Sequence, residues 1–122
     1  MKLQTERPQG QNAITAYGPG FVTINAQIYR HSLIVGHDRL LLDWPVAKLD
    51  DLTSEHLAGL DHNCDVILLG TGAKQRFPQR AILQPLLAKR IGVEVMDTAA
   101  ACRTYNVLLA EGRAVVAALI IE

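Results

Sequence analysis

An apolar run that leads into glycines restricts the folds open to this chain more than any other stretch of its sequence. After Asp65, residues 66–69 are apolar, and Gly70-Thr-Gly72 and a basic loop up to Pro78 follow them. A strand that is apolar on both faces lies inside a parallel sheet, where helices cover it from both sides. The stretch therefore predicts an α/β fold with this strand at its centre.

The next stretch predicts a helix that contains a proline. Apolar residues three and four positions apart within residues 78–90 are typical of a helix with one buried face. Pro85 has no backbone N–H and would clash with the preceding helical turn. We therefore expect the regular part of the helix to begin at Pro85, after a looser turn, and the helix to end at Gly92.

The remaining segments complete a β-α-β-α-β C-terminal half. Gly92–Met96 predicts a strand, and residues 98–111 predict a helix with Asp97 or Thr98 as its N-cap. Residues 115–121 are apolar on both faces and predict another central strand. The first two strands are joined through a helix, so we expect them to run parallel in a right-handed crossover.

The segment before the central strand predicts antiparallel strands. We expect them to form a sheet or ribbon that ends at Trp44-Pro45, because proline cannot donate to a strand ladder. A short helix capped by Thr53 or Ser54 then leads into the central strand. The runs with strand character are residues 13–17, 21–25, 26–29, 33–35 and 40–44.

The bulk composition fits one domain and does not favour nucleic acid or an anionic membrane as a partner. In a chain of 122 residues we expect a flexible tail over residues 1–12 and a single α/β domain over residues 13–122. Twelve basic residues balance twelve acidic ones, so nothing in the charge favours nucleic acid or an anionic membrane. No apolar run reaches the length of a membrane span, and the N-terminus lacks the apolar part of a secretory signal. We expect a cytoplasmic protein without membrane insertion, whose oligomeric state the sequence leaves open.

The predicted topology brings one group of residues to a single edge of the sheet. The C-terminal ends of parallel strands meet at the same edge, and the N–H groups of the last helix open there too. Ligands of open α/β sheets usually bind at such an edge, and loop amides with nearby cations could hold a small anion. The candidate ligand or interaction site consists of Gly70, Thr71, Gly72, Lys74, Arg76, Asp97 and Thr98.

A structural role for the same residues is the alternative. The glycines would then only make the tight turn out of the strand, and the cations would belong to the solvated surface. The dinucleotide-binding pattern G-x-G-x-x-G fails, because Gln75 stands at the position of the third glycine. Asn106, inside the last helix, either bonds a neighbouring loop or lines the pocket, and we favour the structural bond.

No residue pattern predicts catalysis, a metal or a cofactor. Cys102 lies in the first turns of the last helix, where the helix dipole could lower its pKa, but no histidine is placed beside it. His56, His62 and Cys64 lack the tight spacing of metal ligands and are interpreted as loop residues. We therefore assign no catalytic residue, no metal ligand and no cofactor.

Several segments together resemble one known family of small uncharacterised domains. The family includes mitochondrial NADH dehydrogenase (respiratory complex I) assembly factor 3 and the adipogenesis-associated domain protein, and the resemblance covers about residues 14–121. The segments that carry it are Ile67-Leu-Leu-Gly-Thr-Gly72, Arg76-Phe-Pro78, Gly92-Val-Glu-Val-Met-Asp-Thr98, Ala101-Cys-Arg-Thr-Tyr-Asn-Val-Leu108 and Glu111-Gly-Arg113.

The resemblance implies a three-layer α/β fold with a mixed central sheet, and it allows the last strand to run antiparallel to its neighbours. No catalytic activity is established for the family, whose mitochondrial member helps to assemble a membrane respiratory complex through protein contacts. The favoured hypothesis is therefore a non-enzymatic protein-interaction or assembly accessory factor, with a protein such as a membrane-complex subunit as its partner. The alternative is a small-molecule or anion-binding protein, or an enzyme, that uses the Gly-Thr-Gly loop.

Overall fold

The computed structural model describes residues 11–122, and within this range it contains eight strands, two α-helices and two short 3-10 helices. The α-helices are α1 Arg80–Leu87 and α2 Thr98–Ala110, and the 3-10 helices are Leu49–Asp51 and Ser54–Leu57. The strands are β1 Ile14–Gly18, β2 Phe21–Ile24, β3 Gln27–Tyr29, β4 Leu33–Gly36, β5 Arg39–Leu41, β6 Val66–Gly70, β7 Gly92–Met96 and β8 Val115–Leu119.

Five strands form a mixed central sheet in the order β5-β4-β8-β6-β7. β6 and β7 run parallel, as expected for strands joined through α1, and β8 lies parallel to β6 on its other side. β8 is antiparallel to β4, so the last strand has one neighbour of each direction. The predicted α/β class and mixed sheet are confirmed, although β8 rather than β6 is the middle strand.

Alternate side chains of the central sheet pack against two different layers. One face, which includes Leu68 and Ala117, packs on α2 and on a small sheet of β1, β2 and β3. The other face, which includes Leu69 and Ala118, packs on α1, the 3-10 helices and the segment that contains Trp44. Covering on both faces explains why β6 and β8 contain no polar side chain. The three-layer arrangement is confirmed.

The N-terminal strands pair antiparallel, as predicted, but they divide between two sheets instead of forming a single sheet or ribbon. β1, β2 and β3 form the small sheet, whereas β4 and β5 join the central sheet through the pairing of β4 with β8. All four residues of β4 are buried, so this strand needs a neighbour along each edge and a layer on each face. Ser32 lies at the crossing point between the sheets, where its hydroxyl accepts a hydrogen bond from the Ile121 backbone N–H at 2.9 Å.

The prediction that the first regular helix begins at Pro85 is wrong, because Pro85 lies inside α1. Pro85 has no N–H to donate to the carbonyl oxygen of Ala81, four positions earlier. Both Ala81 and Pro85 are exposed. Water can therefore satisfy that oxygen, which makes the proline tolerable on this surface helix. Gly92 does not end the helix either, because α1 ends at Leu87 and Arg90 reverses the chain with a φ of 62°.

α2 has well-defined ends. The side chain of Asp97 accepts a hydrogen bond from Ala100 N–H at 2.8 Å, so Asp97 is the N-cap of the two residues predicted. At the other end, Gly112 has a φ of 81° and Arg113 N–H donates to the Leu108 carbonyl oxygen at 3.0 Å, which is a Schellman closure. Neither α-helix in the described part of the chain is long and apolar enough to cross a membrane.

Asn12, at the end of the predicted tail, is held by several contacts, whereas residues 1–10 lie outside the described range. Its side-chain Nδ2 donates to the carbonyl oxygens of Gly36 at 3.0 Å and Arg39 at 2.9 Å. Its own carbonyl oxygen accepts from the Tyr105 hydroxyl at 2.6 Å. Asn12 therefore links the β4–β5 turn to α2.

Candidate functional site

The loop that follows β6 lies at the C-terminal edge of the parallel strands, where the sequence predicts it. The carbonyl oxygen of Gly70 accepts a hydrogen bond from Ile120 N–H at 2.9 Å. A Cβ atom on Gly70 would lie 3.0 Å from the Cα and Oγ1 atoms of Thr98 and 3.1 Å from the Leu119 side chain. Glycine is needed at this strand end because α2 begins directly against it.

Two hydrogen bonds join Gly72 to Thr98. Thr98 N–H donates to the Gly72 carbonyl oxygen at 2.9 Å, and Gly72 N–H donates to Thr98 Oγ1 at 2.8 Å. The Thr98 hydroxyl donates in turn to the Ile120 carbonyl oxygen at 2.7 Å. The loop amide of Gly72 and the first N–H of α2 are thus bonded within the chain, which leaves fewer donors for an anion.

Thr71 holds the basic loop in one conformation. This residue is only 1% exposed, and its hydroxyl donates to the Lys74 carbonyl oxygen at 2.6 Å and accepts from Arg76 N–H at 3.2 Å. The side chain of Gln75 fastens the same loop to β7 by donating to the Val95 carbonyl oxygen at 3.0 Å. Residues 71–76 are therefore fixed to the body of the domain at several points.

The two predicted cations lie on the outer surface and do not converge with the loop amides. Lys74 and Arg76 are exposed, and Arg76 Nη2 forms an ion pair with Asp50 Oδ1 at 2.7 Å. The hydrogen bond from Arg76, together with its charge, lowers the pKa of the Asp50 carboxyl. The structure therefore brings Gly70, Gly72 and the start of α2 together and leaves the cations outside this group.

Asn106 lies away from this edge, about 12 Å further along α2 than Thr98 at a rise of about 1.5 Å per residue. Its Oδ1 accepts from Ile14 N–H at 3.1 Å, and its Nδ2 donates to the Ile14 carbonyl oxygen at 2.6 Å. The side-chain amide thus bonds β1 in the way that a neighbouring strand would. The structural interpretation of Asn106 fits this geometry.

Cys102 lies on the buried face of α2 and is fully buried in the core. Burial raises the pKa of its thiol to about 12, which is the opposite of the lowering by the helix dipole considered from sequence. A thiol that stays protonated at neutral pH is a poor nucleophile.

A cavity of about 610 Å³ opens beside the glycine loop, between the β1–β2 turn and the start of α2. Three of the predicted site residues line it, namely Gly72, Asp97 and Thr98. The aromatic residues Tyr17 and Phe21 also line it, on the side of the β1–β2 turn. Small-molecule sites are commonly clefts of roughly 300–1,000 Å³, so this one has a suitable size.

The side chain of Glu122 occupies the loop side of this cavity. Its Oε1 accepts a hydrogen bond from Ala73 N–H at 3.2 Å. A Cβ atom on Gly72 would overlap this carboxylate, and Gly72 also has a φ of 104°, which favours glycine. The Glu122 carboxylate therefore accepts a hydrogen bond from one of the loop amides that the sequence predicts as donors to a bound anion.

Phe77 is the most exposed large apolar residue in the described part of the chain, at 73%. It follows directly on the fastened loop and lies between Arg76 and Pro78. The other large apolar residues with substantial exposure are Ile28, Leu40, Leu41, Leu42, Leu87 and Val107.

Comparison with known proteins identifies the family. The sequence profile of the family described as protein of unknown function (DUF498/DUF598) matches residues 14–120. The chain belongs to this family. The resemblance noted from the sequence is thereby confirmed, because the relatives below include the respiratory complex I assembly factor.

The relatives of this DUF498/DUF598 member come from bacteria and animals. An uncharacterized protein of Rhodobacter capsulatus is 38% identical over 91% of this chain and 86% of its own length. A 13 kDa major membrane protein of Francisella tularensis is 33% identical over 93% of this chain and 94% of its own length. Mouse NADH dehydrogenase (ubiquinone) 1 alpha subcomplex assembly factor 3 is 31% identical over 97% of this chain, which spans 64% of that protein.

Solved structures of bacterial proteins have the same fold. A crystal structure of a Bordetella parapertussis protein has a TM-score of 0.86 at 38% identity, covering 95% of this chain and 100% of that one. A Xanthomonas campestris protein has a TM-score of 0.81 at 43% identity, with 99% and 92% covered. A Bordetella pertussis protein described as an Mth938-like domain has a TM-score of 0.79 at 36% identity, with 98% and 91% covered.

Sequence reasoning missed four residues of the site, Tyr17, Phe21, Phe77 and Glu122. The first two flank a Gly-Pro-Gly turn, and the pattern there indicates only a turn. A large aromatic residue between arginine and proline in an otherwise polar loop is a signal that could have identified Phe77. No local pattern reveals Glu122, because it meets Ala73 across 49 positions of the chain.

Proposed function

We propose that this DUF498/DUF598 member is a non-enzymatic protein-interaction module that acts as an accessory factor in the assembly of a membrane complex. The partner class we propose is the subunits of a respiratory complex of the complex I type. The observation that supports the proposal is that Phe77 is exposed directly after residues 71–76, a loop that hydrogen bonds hold to the domain.

The physical case rests on how Phe77 is presented. An aromatic side chain left in water forgoes roughly 1.5–3 kcal/mol of burial energy that a partner could recover. The bonds of Thr71 and Gln75 hold the preceding loop residues, so little conformational freedom remains to be lost on binding. Aromatic residues, phenylalanine among them, and arginine are enriched at protein interfaces relative to the rest of the surface.

The relatives support the same class of function. The assembly factor of mouse matches this chain over 97% of its length, which includes the loop and Phe77. A Francisella relative is named a membrane protein, and a Bartonella henselae structure of 35% identity and TM-score 0.67 is titled an outer membrane protein. Two of the three names thus refer to a membrane and one to the assembly of NADH dehydrogenase.

Quantitative affinity capture tests this function. Tagged wild-type protein and the Phe77→Ala and Val107→Ala variants are expressed in the native host, captured from gently solubilised membranes, and their partners quantified by mass spectrometry. Val107 is the control, because it is 56% exposed on α2 and outside the loop. We expect respiratory-complex subunits to be enriched by the wild type and by Val107→Ala, and about tenfold less by Phe77→Ala.

Either of two results would count against the proposal. In the first, Phe77→Ala captures the same subunits as the wild type. In the second, no membrane-complex subunit is enriched by any of the three proteins. Circular dichroism of each variant separates a lost contact from a lost fold.

Small-molecule binding is a second candidate function, and the cavity of about 610 Å³ beside Gly72 favours it. The cavity opens between the β1–β2 turn and α2, whereas Phe77 lies on the loop beyond it and does not line it. The two functions can therefore be tested separately.

A further inference from the structure

The cavity beside Gly72 combines aromatic walls with acidic groups. Tyr17 and Phe21 line one side, and the carboxyl-bearing residues Asp97 and Glu122 line the other. No lysine or arginine within residues 11–122 belongs to its lining. The lining of the cavity is therefore negative, whereas the anion site predicted from the glycine loop and its cations would be positive.

Hydrogen bonds to the backbone hold both carboxylates in place. Asp97 uses Oδ1 to accept from Ala100 N–H at 2.8 Å, and Glu122 uses Oε1 to accept from Ala73 N–H at 3.2 Å. Each bond engages one oxygen, so the second oxygen of each carboxylate can accept from a ligand. Fixed acceptors of this kind lose little entropy when a donor binds.

The nearest cations lie outside the cavity lining, although Arg103 interacts with the charge of Asp97. Arg103, about one and two-thirds turns beyond Asp97, lies outside the cavity lining, and its hydrogen bond with Tyr17 and the negative charges of Tyr17 and Asp97 raise the pKa of its guanidinium. Lys74 is exposed beyond the loop, and Arg76 is paired with Asp50. A positive ligand would thus complement the charge of Glu122 and the part of the Asp97 charge that Arg103 does not balance.

We propose that this cavity binds a small organic cation, an amine or ammonium group attached to an aromatic or branched apolar body. The apolar body would pack between the rings of Tyr17 and Phe21, where the cation can also meet the face of a ring. The charged group would bind Asp97 and Glu122. This inference rests on the second candidate function and is independent of Phe77.

Three compounds that share an indole ring and a two-carbon linker test the charge directly. Tryptamine carries a positive charge at pH 7, tryptophol is neutral, and indole-3-propionate is negative. Binding is followed by amide NMR shifts of Gly18, Gly20, Gly72 and Ala73, which line the cavity. We expect tryptamine to bind about fivefold more tightly than tryptophol, and indole-3-propionate to bind most weakly.

Isosteric variants test whether Asp97 and Glu122 cause the preference for tryptamine over tryptophol. Asp97→Asn retains an N-cap acceptor, and Glu122→Gln retains an oxygen for Ala73 N–H, so both remove charge and keep the fold. The double variant should bind tryptamine and tryptophol equally. Glu94→Gln is the matched control, because Glu94 is exposed on β7 and outside the cavity, and it should retain the preference of the wild type.

The possible failures are distinguishable. Equal or tighter binding of tryptophol or indole-3-propionate by the wild type would overturn the charge inference and leave small-molecule binding intact. A preference for tryptamine that survives in the double variant would overturn the assignment to Asp97 and Glu122. Absence of shifts with all three compounds at millimolar concentration would overturn both the inference and the second candidate function.

Discussion

At the scale of single residues, two strand glycines allow a matched test of how closely α2 approaches the sheet. A methyl group on Gly70 would meet the Thr98 backbone at 3.0 Å, whereas one on Gly92 would have no neighbour closer than 3.7 Å. Gly70→Ala should therefore lower the free energy of unfolding by about 1–3 kcal/mol through overpacking. Gly92→Ala should leave it unchanged or raise it by up to about 1 kcal/mol through reduced freedom of the unfolded chain.

Urea denaturation followed by circular dichroism measures both effects. Equal stability of the Gly70→Ala and Gly92→Ala proteins would mean that α2 does not press against the end of β6. Neither substitution changes a charge or a hydrogen-bonding side chain, so the comparison isolates the steric contact.

The residues that sequence reasoning placed well are those governed by neighbours in the chain. Asp97 and Thr98 stand at the start of a helical pattern, and capping chemistry predicts that one of these two is the N-cap. The predicted helix start at Pro85 is wrong because water can satisfy the carbonyl oxygen of the exposed Ala81, so the helix tolerates the proline. A helical pattern does not show this exposure. Glu122 reverses the charge expected beside the glycine loop, and this depends on a contact between distant parts of the sequence.

At the scale of elements, the small sheet is attached to α2 through the amide of Asn106. Asn106→Ala would leave both the N–H and the carbonyl oxygen of Ile14 without their partner in a partly buried place. Unsatisfied groups of this kind cost about 1–3 kcal/mol each when buried, so we expect a loss of about 1–3 kcal/mol overall with partial access of water. Amide hydrogen exchange should accelerate in β1 and stay unchanged in β6.

Val107→Ala is the control for this substitution, because it truncates the next residue of α2 on an exposed face. If exchange in β1 responds equally to both variants, Asn106 has no special part in holding the small sheet.

The strand and helix order could be predicted in the C-terminal half and only partly in the N-terminal half. β6, α1, β7 and α2 follow one another in sequence and in space, so a right-handed crossover fixes their arrangement. The pairing of β4 with β8 joins residues some eighty positions apart, such as Leu33 and Leu119. Patterns of alternation show that a strand exists but do not identify a partner at that distance.

At the scale of the whole molecule, the C-terminal edge of the parallel strands carries both candidate surfaces. The cavity lies on the α2 side of this edge, and the loop that presents Phe77 continues toward α1. Gly70 and Gly72 lie between the two surfaces. Gly70 lets β6 end against α2, and Gly72 turns the chain outward. The chain belongs to the DUF498/DUF598 family and is similar to an assembly factor, and we propose the exposed loop as its interaction site.

Site-specific photo-cross-linking in living cells tests the interaction function most directly. The photoreactive amino acid p-benzoylphenylalanine replaces Phe77 in one protein and Val107 in a second, and cross-linked products are identified by mass spectrometry after irradiation. We predict that position 77 forms a discrete adduct with a subunit of a membrane respiratory complex and that position 107 does not. Absence of any protein adduct at position 77, or the same adducts at both positions, would contradict the proposed interaction surface.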